Sequence, residues 1–280
     1  MKIIIRKAEY AYEWLNGFEV NRPTVICLHG FLGTSQTFAC LKNQSFANIL
    51  AIDLLGHGQS SIYLPAYRYA MSELIADLSS LTQHLELENY YLLGYSMGSR
   101  VALAWSLTYP NKVLGLVMEA GIPGIKGAED RVKRRKHDQK WVNALKSRSM
   151  AEFVTKWQAQ ALFNSQRNLP LDIQQANFLS KVSQSAYGMQ MSLMQMGSGA
   201  QQNYWPQLSQ KGTFPLLYLA GNLDSKYCSI GKQVVAAWAH PKASLEVIAQ
   251  AGHCVHLEQP ESFKQTVMQW LKTIHENQPR

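Results

Sequence analysis

The sequence contains little that would direct it to a membrane or to a secretion route. Among its 280 residues, no apolar run approaches the ~20 residues that a membrane-crossing helix needs. Residues 1–7 return to arginine and lysine too early for the apolar core of a signal peptide, and they favour a first strand instead. We therefore expect a cytoplasmic protein without membrane insertion.

Cysteine is sparse, and its spacing indicates neither a disulfide framework nor a metal site. The four cysteines, Cys27, Cys40, Cys228 and Cys254, are scattered, without the paired spacing that zinc sites use. No grouping of His, Asp and Glu has the spacing of metal ligands either. We therefore expect free thiols, no bound metal and no cofactor.

Charged residues make up only 16% of the chain and apolar residues 46%, which indicates a globular protein rather than a disordered one. The net charge of +8 is concentrated, because residues 126–148 contain nine Lys or Arg against three acids. A basic patch of this kind is typical of nucleic-acid binding, but it also suits a small anionic substrate. Charge alone leaves both interpretations open.

Short apolar runs alternate with helical patterns along most of the chain, which predicts an α/β fold with a mostly parallel sheet and helices on both faces. The alternation stops over residues 121–208, which have a helix-like pattern without a convincing strand. We predict a core of residues 1–120 and 209–280 and a helical lid insertion of residues 121–208. Such an insertion would lie over the strand ends, where this architecture binds ligands.

The periodicity also sets approximate limits for the individual elements. The predicted strands are residues 24–28, 49–53, 90–94, 113–118, 216–220 and 245–248. The predicted helices are residues 71–84, 98–108, 230–239 and 260–275.

The segment Gly94-Tyr95-Ser96-Met97-Gly98 follows a predicted strand and opens a predicted helix. In this context the G-x-S-x-G pattern predicts a strained turn that lifts the Ser96 hydroxyl clear of the sheet. The helix that follows directs backbone N–H groups toward developing negative charge. Ser96 is therefore the candidate reactive serine.

A serine needs an acid and a histidine as partners, here in that chain order. Asp224 and His253 lie just past the last two predicted strands, at the same sheet edge as Ser96. The alternatives are a loop-capping role for Asp224 and simple packing for His253. The turn histidines His29 and His57 are expected to be structural.

Residues 29–33 follow the strand 24–28 and predict the second half of an oxyanion hole. The expected donors are the backbone N–H groups of Phe31 and Met97. Removing one such donor typically lowers the rate by ~10²–10³.

With these motifs, the chain resembles the 2-succinyl-6-hydroxy-2,4-cyclohexadiene-1-carboxylate synthases (MenH), members of the α/β-hydrolase superfamily. The resemblance covers nearly the whole chain, including the predicted lid. It is carried by residues 28–31, 94–100, 119–125, 128–131, 162–163, 221–227 and 252–256 and by Trp157. It implies the α/β-hydrolase fold and a substrate site that includes Tyr95, Arg100, Arg131, Trp157 and Lys181.

Arg100 is the most diagnostic of these residues, because it lies one helical turn beyond Ser96 and on the same face. A buried arginine requires an anion, which either a protein carboxylate or the substrate supplies. The family's substrate has three carboxylates, which arginine binds well. Arg131 matches the family's lid arginine, and Lys181 falls where relatives tend to have arginine, so its charge is kept but the bidentate geometry is lost.

The resemblance implies a lyase of menaquinone biosynthesis that eliminates pyruvate, with Ser96, His253 and Asp224 serving as a general base. The first alternative is a hydrolase of esters, thioesters or carbon–carbon bonds with the same triad. The second is a non-catalytic hydrolase-like receptor, which the intact triad and oxyanion loop disfavour. The third is a nucleic-acid binder that uses the basic patch of residues 126–148 and would bind in a salt-dependent way. We expect no nucleic-acid partner, and a monomer or weak homo-oligomer.

Overall fold

The computed structural model describes residues 1–277, and its centre is an eight-stranded sheet. In space the strands run in the order β1-β2-β4-β3-β5-β6-β7-β8. Their bounds are β1 Lys2–Ile5, β2 Ala8–Trp14, β3 Thr24–Leu28, β4 Asn48–Ile52, β5 Tyr90–Tyr95, β6 Val113–Glu119, β7 Leu216–Gly221 and β8 Ala243–Ile248.

The prediction of a mostly parallel α/β sheet is confirmed. Strands β3 to β8 pair in parallel, whereas β1 and β2 pair antiparallel to each other and β2 pairs antiparallel to β4. Strand β2 was not predicted because Glu9 and Glu13 interrupt its apolar residues, so that it does not form a continuous apolar run. The parallel strands bring their carboxyl ends to one edge, where the loops can assemble a site.

Ten α-helices occur within residues 1–277. Their bounds are α1 Met71–His84, α2 Met97–Thr108, α3 Ala128–Ser147, α4 Met150–Gln158, α5 Leu171–Val182, α6 Ala186–Met196, α7 Leu208–Lys211, α8 Ser225–Ala237, α9 Val255–Glu258 and α10 Pro260–Glu276. Helix α8 begins five residues before the predicted position, because the Asp224 side chain caps it by accepting a bond from the Tyr227 amide. None of these helices has the length and apolar character needed to cross a bilayer.

Helices cover both faces of the sheet, as the alternation of strand side chains requires. Leu92 faces the cluster that includes α1, α2 and α8, whereas its neighbour Leu93 faces the cluster that includes α10. Both residues are fully buried. This double burial explains why the central strands have continuous apolar runs.

The segment between β6 and β7 contains helices α3, α4, α5 and α6, followed by the short α7, and no strand. We call residues 121–208 the insertion. Helices α3, α4 and α6 share a small hydrophobic cluster that is separate from the two clusters beside the sheet. In contrast, α5 contains no buried residue.

Candidate active site

Ser96 occupies a sharp turn between β5 and α2, with φ 49° and ψ −102°. This backbone conformation is costly for a residue with a side chain. The two flanking glycines make the turn possible: a Cβ on Gly98 would lie 1.9 Å from the Leu28 carbonyl oxygen, and a Cβ on Gly94 would lie 2.4 Å from the Gly98 carbonyl oxygen. The strain holds the Ser96 hydroxyl away from the sheet.

The structure brings Ser96, His253 and Asp224 together in one hydrogen-bonded chain. His253 Nε2 lies 3.1 Å from Ser96 Oγ, and His253 Nδ1 lies 2.8 Å from Asp224 Oδ2. Since an ionised carboxylate only accepts, Nδ1–H donates to Asp224 and Nε2 is left to accept the Ser96 proton. His253 is 1% exposed, so this base is shielded from bulk water.

Asp224 has two roles at once. Its Oδ2 holds His253, while its Oδ1 accepts the Tyr227 amide at 3.2 Å and caps α8. The loop-capping alternative and the catalytic interpretation are therefore compatible. The cap fixes the carboxylate, which in turn fixes the imidazole orientation.

The amides of Phe31 and Met97 both border the cavity beside Ser96. Within residues 1–277, neither N–H has a protein acceptor. Gly30, before Phe31, allows the loop to approach closely, because a Cβ there would lie 2.6 Å from the Tyr95 ring. Both donors are thus available for an oxyanion.

The triad opens into a cavity of about 970 Å³ between the sheet edge and the insertion. This volume suits a small molecule rather than a polymer. Ser96 and His253 lie at the core side. The insertion contributes lining residues from all four of its α-helices, including Arg134, Trp141, Trp157, Lys181 and Leu193.

Arg100 borders this cavity and is almost completely buried. Its Nη1 donates to the Met196 carbonyl oxygen at 2.6 Å and to Gln201 Oε1 at 3.1 Å. Both acceptors are neutral, and no carboxylate of residues 1–277 lies within 4.0 Å of the guanidinium, so the described protein residues supply no counter-ion. Burial lowers the pKa of Arg100 to about 10.

The structure does not bring Arg131 to the cavity. Its Nη1 donates to the carbonyl oxygens of Ile125 and Lys126 at the start of α3. Arg134, one turn further along α3, borders the cavity in its place. The Nε of Arg134 donates to Asp138 Oδ1 at 2.7 Å, and this bond does not use its terminal nitrogens.

The other three predicted substrate contacts, Tyr95, Trp157 and Lys181, all line the cavity. Lys181 Nζ lies 5.6 Å from the Phe163 ring centroid, and no carboxylate of the described residues is within 4.0 Å of it. Burial lowers the pKa of Lys181. Lys181 is therefore a second cavity cation without a protein counter-ion.

A buried pair, Glu119 and His256, was not predicted as part of the site. Glu119 ends β6 and is fully buried, and it accepts from His256 Nδ1 at 2.8 Å and from the His256 amide at 3.1 Å. The His256 ring packs against Tyr95, with 4.6 Å between centroids. The pair ties the loop after His253 to β6 and so supports the triad histidine.

No cluster of three or more His, Cys, Asp or Glu residues suitable for a metal ion occurs in residues 1–277. The described cavity offers a hydrogen-bonded base, two amide donors and unpaired cations. This combination suits proton abstraction or acyl transfer on an anionic small molecule.

Comparison with known proteins agrees with an enzymatic site of this kind. The family model described as alpha/beta hydrolase fold matches residues 23–260. A putative 2-succinyl-6-hydroxy-2,4-cyclohexadiene-1-carboxylate synthase from Bacillus subtilis is 34% identical, over 89% of this chain and 90% of its own length. The synthase of the same name from Serratia proteamaculans is 28% identical, over 90% of this chain and 94% of its own.

Among solved structures, MenH from S. aureus superposes with a TM-score of 0.86 and is 30% identical, covering 95% of this chain and 98% of its own. An esterase from Thermogutta terrifontis superposes with a TM-score of 0.82 at 22% identity, covering 98% of each chain. At this low identity, the similarity to the esterase shows only that the two chains share a fold.

Proposed function

We infer the function from one premise: the chain belongs to the family of 2-succinyl-6-hydroxy-2,4-cyclohexadiene-1-carboxylate synthases, enzymes of menaquinone biosynthesis built on the alpha/beta hydrolase fold. The enzyme eliminates pyruvate from 2-succinyl-5-enolpyruvyl-6-hydroxy-3-cyclohexene-1-carboxylate. Our proposal concerns how its residues perform this reaction. It assigns proton removal to the Ser96, His253 and Asp224 chain.

The reaction requires one base and one leaving group. The substrate has a ring double bond at C3 and the product has two, at C2 and C4. Removal of the C2 proton, next to the succinyl ketone, forms the C2 double bond and moves the existing one to C4. The electron pair of the C5–oxygen bond leaves with enolpyruvate, which becomes pyruvate.

The triad supplies the base for the C2 proton. Ser96 Oγ gives its proton to His253 Nε2, 3.1 Å away, as it removes the substrate proton, while Asp224 stabilises the resulting imidazolium. The amides of Phe31 and Met97 hold the succinyl oxygen as it becomes an enolate. This route needs no acyl-enzyme.

Arg100 is the observation that carries the proposal. Its guanidinium is buried at the cavity wall and bonds only neutral acceptors among the described residues. A buried cation is costly unless an anion accompanies it. A substrate carboxylate supplies that anion, whereas simple ester hydrolysis requires none.

We expect Arg134→Met to raise KM by about tenfold or more, because a charge-assisted bond to a carboxylate contributes about 1.5–3 kcal/mol. Arg131→Met is the matched control, since Arg131 bonds only backbone carbonyls outside the cavity and should leave KM near the wild-type value. Steady-state pyruvate release measures both. A larger rise in KM for Arg131→Met than for Arg134→Met would assign the substrate contact to Arg131.

The pH dependence of kcat/KM tests Lys181. Burial lowers its pKa in the free enzyme, and a carboxylate binds only the protonated form. Binding is therefore complete below this pKa and weakens as the pH rises through it, so kcat/KM should fall at alkaline pH. Lys181→Arg should move the fall to higher pH, because arginine keeps its proton.

Exposed Lys140 on α3 provides the control, since Lys140→Arg should leave the pH profile unchanged. An alkaline fall that is identical in wild type and Lys181→Arg would remove Lys181 from substrate binding.

The function itself is tested by generating the substrate in situ and following pyruvate release alongside hydrolysis of a p-nitrophenyl ester. Rapid pyruvate release with negligible esterase activity supports the proposal. Efficient ester cleavage without pyruvate release would establish the hydrolase alternative instead.

The insertion covers the cavity on the side opposite the triad, which supports a role as a lid. The cavity cations support a small anionic substrate rather than nucleic acid. A cytoplasmic location and a monomeric or weakly associated state stay predictions.

A further inference from the structure

The hydrophobic cluster of the insertion is completed by a residue from the core. Six of its buried members belong to α3, α4 and α6, and they are Val142, Leu145, Phe153, Val154, Met189 and Leu193. The seventh is Leu32, which lies in the loop after β3. Among the described residues, Leu32 is the one fully buried contribution from outside the insertion.

Leu32 has an unusual backbone conformation for a leucine. Its φ is +64°, in the left-handed region that residues with a Cβ adopt at a cost. Its side chain is 1% exposed, although the residue borders the cavity. The buried side chain packs in the cluster formed with the insertion, which can offset the cost of this backbone conformation.

The residue before Leu32 is Phe31, whose amide is a proposed oxyanion donor. The Phe31 ring packs on Trp157 of α4, with 4.8 Å between centroids. Two consecutive side chains of the oxyanion loop are therefore held by the insertion. The loop's position depends on helices that begin about a hundred residues later in the chain.

On the opposite side, the core holds the same loop through His29. The Leu54 amide donates to His29 Nε2 at 3.0 Å, so Nδ1 has the proton and donates to the Gly30 carbonyl oxygen at 2.7 Å. Gly33 N–H donates to that oxygen as well, at 3.0 Å. The Gly30 carbonyl and the Phe31 N–H belong to one planar peptide, so fixing the oxygen helps to fix the donor.

We propose that Leu32 is a positioning residue that couples the insertion to the oxyanion hole. When the insertion packs on Leu32, the Phe31 amide is held in its donating position; without this anchor the loop relaxes from its strained conformation. This inference rests on the proposed oxyanion role of Phe31. It assigns the insertion a part in the chemical step, in addition to covering the substrate.

The anchor should affect the chemical step more than substrate binding, because the oxyanion bond is strongest in the transition state. Loss of a whole donor costs ~10²–10³ in rate, so a displaced donor should cost about tenfold or more in kcat. KM should change less, since the cavity cations remain in place.

Three substitutions of Leu32 separate the effect of its buried side chain from the effect of its strained backbone conformation. Leu32→Ala deletes the anchor, and Leu32→Gly deletes it while relieving the strain at positive φ. Leu32→Met keeps a side chain of similar volume in the cluster. Leu145→Ala is the matched control, because Leu145 lies in the same cluster but belongs to α3 and does not line the cavity.

The measurement is kcat and KM for pyruvate release, with thermal unfolding of each variant recorded in parallel. We expect kcat to fall about tenfold or more in Leu32→Ala, to fall less in Leu32→Gly, whose backbone adopts positive φ without strain, and to stay near wild type in Leu32→Met and Leu145→Ala. Wild-type kcat in both anchor deletions would overturn the proposal. So would a loss of kcat in Leu145→Ala equal to that in Leu32→Ala.

A second substrate keeps this test independent of the proposed function. Pyruvate release by the wild-type protein tests only the proposed lyase activity. The ratio of variant to wild-type kcat tests the positioning role of Leu32. If the wild-type protein hydrolyses p-nitrophenyl acetate instead of releasing pyruvate, that reaction would use the same oxyanion hole, and the same ratio is measured on the ester. A reduced ratio on the substrate that the wild-type protein turns over supports the anchor, and a ratio near one contradicts it.

Discussion

Replacing Ser96 by alanine is expected to lower kcat for pyruvate release by about 10²–10⁴-fold, the usual contribution of a positioned general base. The hydroxyl is the group that connects the substrate proton to His253 Nε2, 3.1 Å away. Because Ser96 makes no charged contact with the substrate in our proposal, KM should change little. Steady-state kinetics at several substrate concentrations separates the two parameters.

Ser99→Ala is a matched control for this substitution. Ser99 lies three residues beyond Ser96, in the first turn of α2, and is fully buried, and its Oγ has no hydrogen-bond partner within residues 1–277. Ser99→Ala also deletes one serine hydroxyl, but at a position that does not line the cavity. Near-wild-type kcat in Ser96→Ala, or an equal loss in Ser99→Ala, would contradict the assigned base.

The second large effect is expected on binding, with Arg100→Met raising KM by about 30-fold or more. The substituted site would leave a substrate carboxylate buried without its cation, which costs about 2 kcal/mol or more. Methionine retains much of the arginine's apolar volume, so the cavity wall should keep its shape. An ester hydrolase of neutral substrates would be indifferent to this change.

Arg100 also supports the Met196 carbonyl and Gln201, so its removal has a structural cost that must be separated. Arg135→Met serves as the control, because Arg135 donates to the Gly199 carbonyl in a similar way but does not line the cavity. A rise in KM for Arg100→Met alone supports the substrate contact. Equal thermal destabilisation in both variants with unchanged KM would assign Arg100 a structural role only.

The sequence was sufficient to predict the fold where local pattern and tertiary environment agree. The central strands are buried on both faces and so appear as apolar runs, and β3 and α1 have the predicted bounds. Strand β2 is interrupted by two glutamates, and α8 starts at an aspartate cap rather than at Ile230, where the apolar pattern placed its start. Neither feature is visible as a continuous hydrophobic pattern.

The positions of Ser96, Asp224 and His253 could be predicted because parallel strands place their carboxyl-end loops at one edge. The same argument does not predict which arginine of α3 lines the cavity. Arg131 and Arg134 are one turn apart on α3, and periodicity alone does not say which of the two reaches the cavity. Contacts such as Arg135 with the Gly199 carbonyl determine the orientation of this helix.

Two further features depend on residues that are distant in sequence. Glu119 and His256 are 137 positions apart and meet only when β6 and the last loop are assembled. Leu32 joins a cluster formed by helices more than a hundred residues away. In the sequence these two features are indicated locally only by a glutamate at the end of a buried strand and by a leucine in a glycine-rich loop.

The most direct test of the proposed base is the rate of pyruvate release in a single turnover, with excess enzyme and substrate deuterated at ring C2. If Ser96 and His253 remove this proton as pyruvate is expelled, the deuterated substrate should react several-fold more slowly than the unlabelled one. Equal rates for the two substrates would contradict the account, because the chemical step would then not involve the C2 proton.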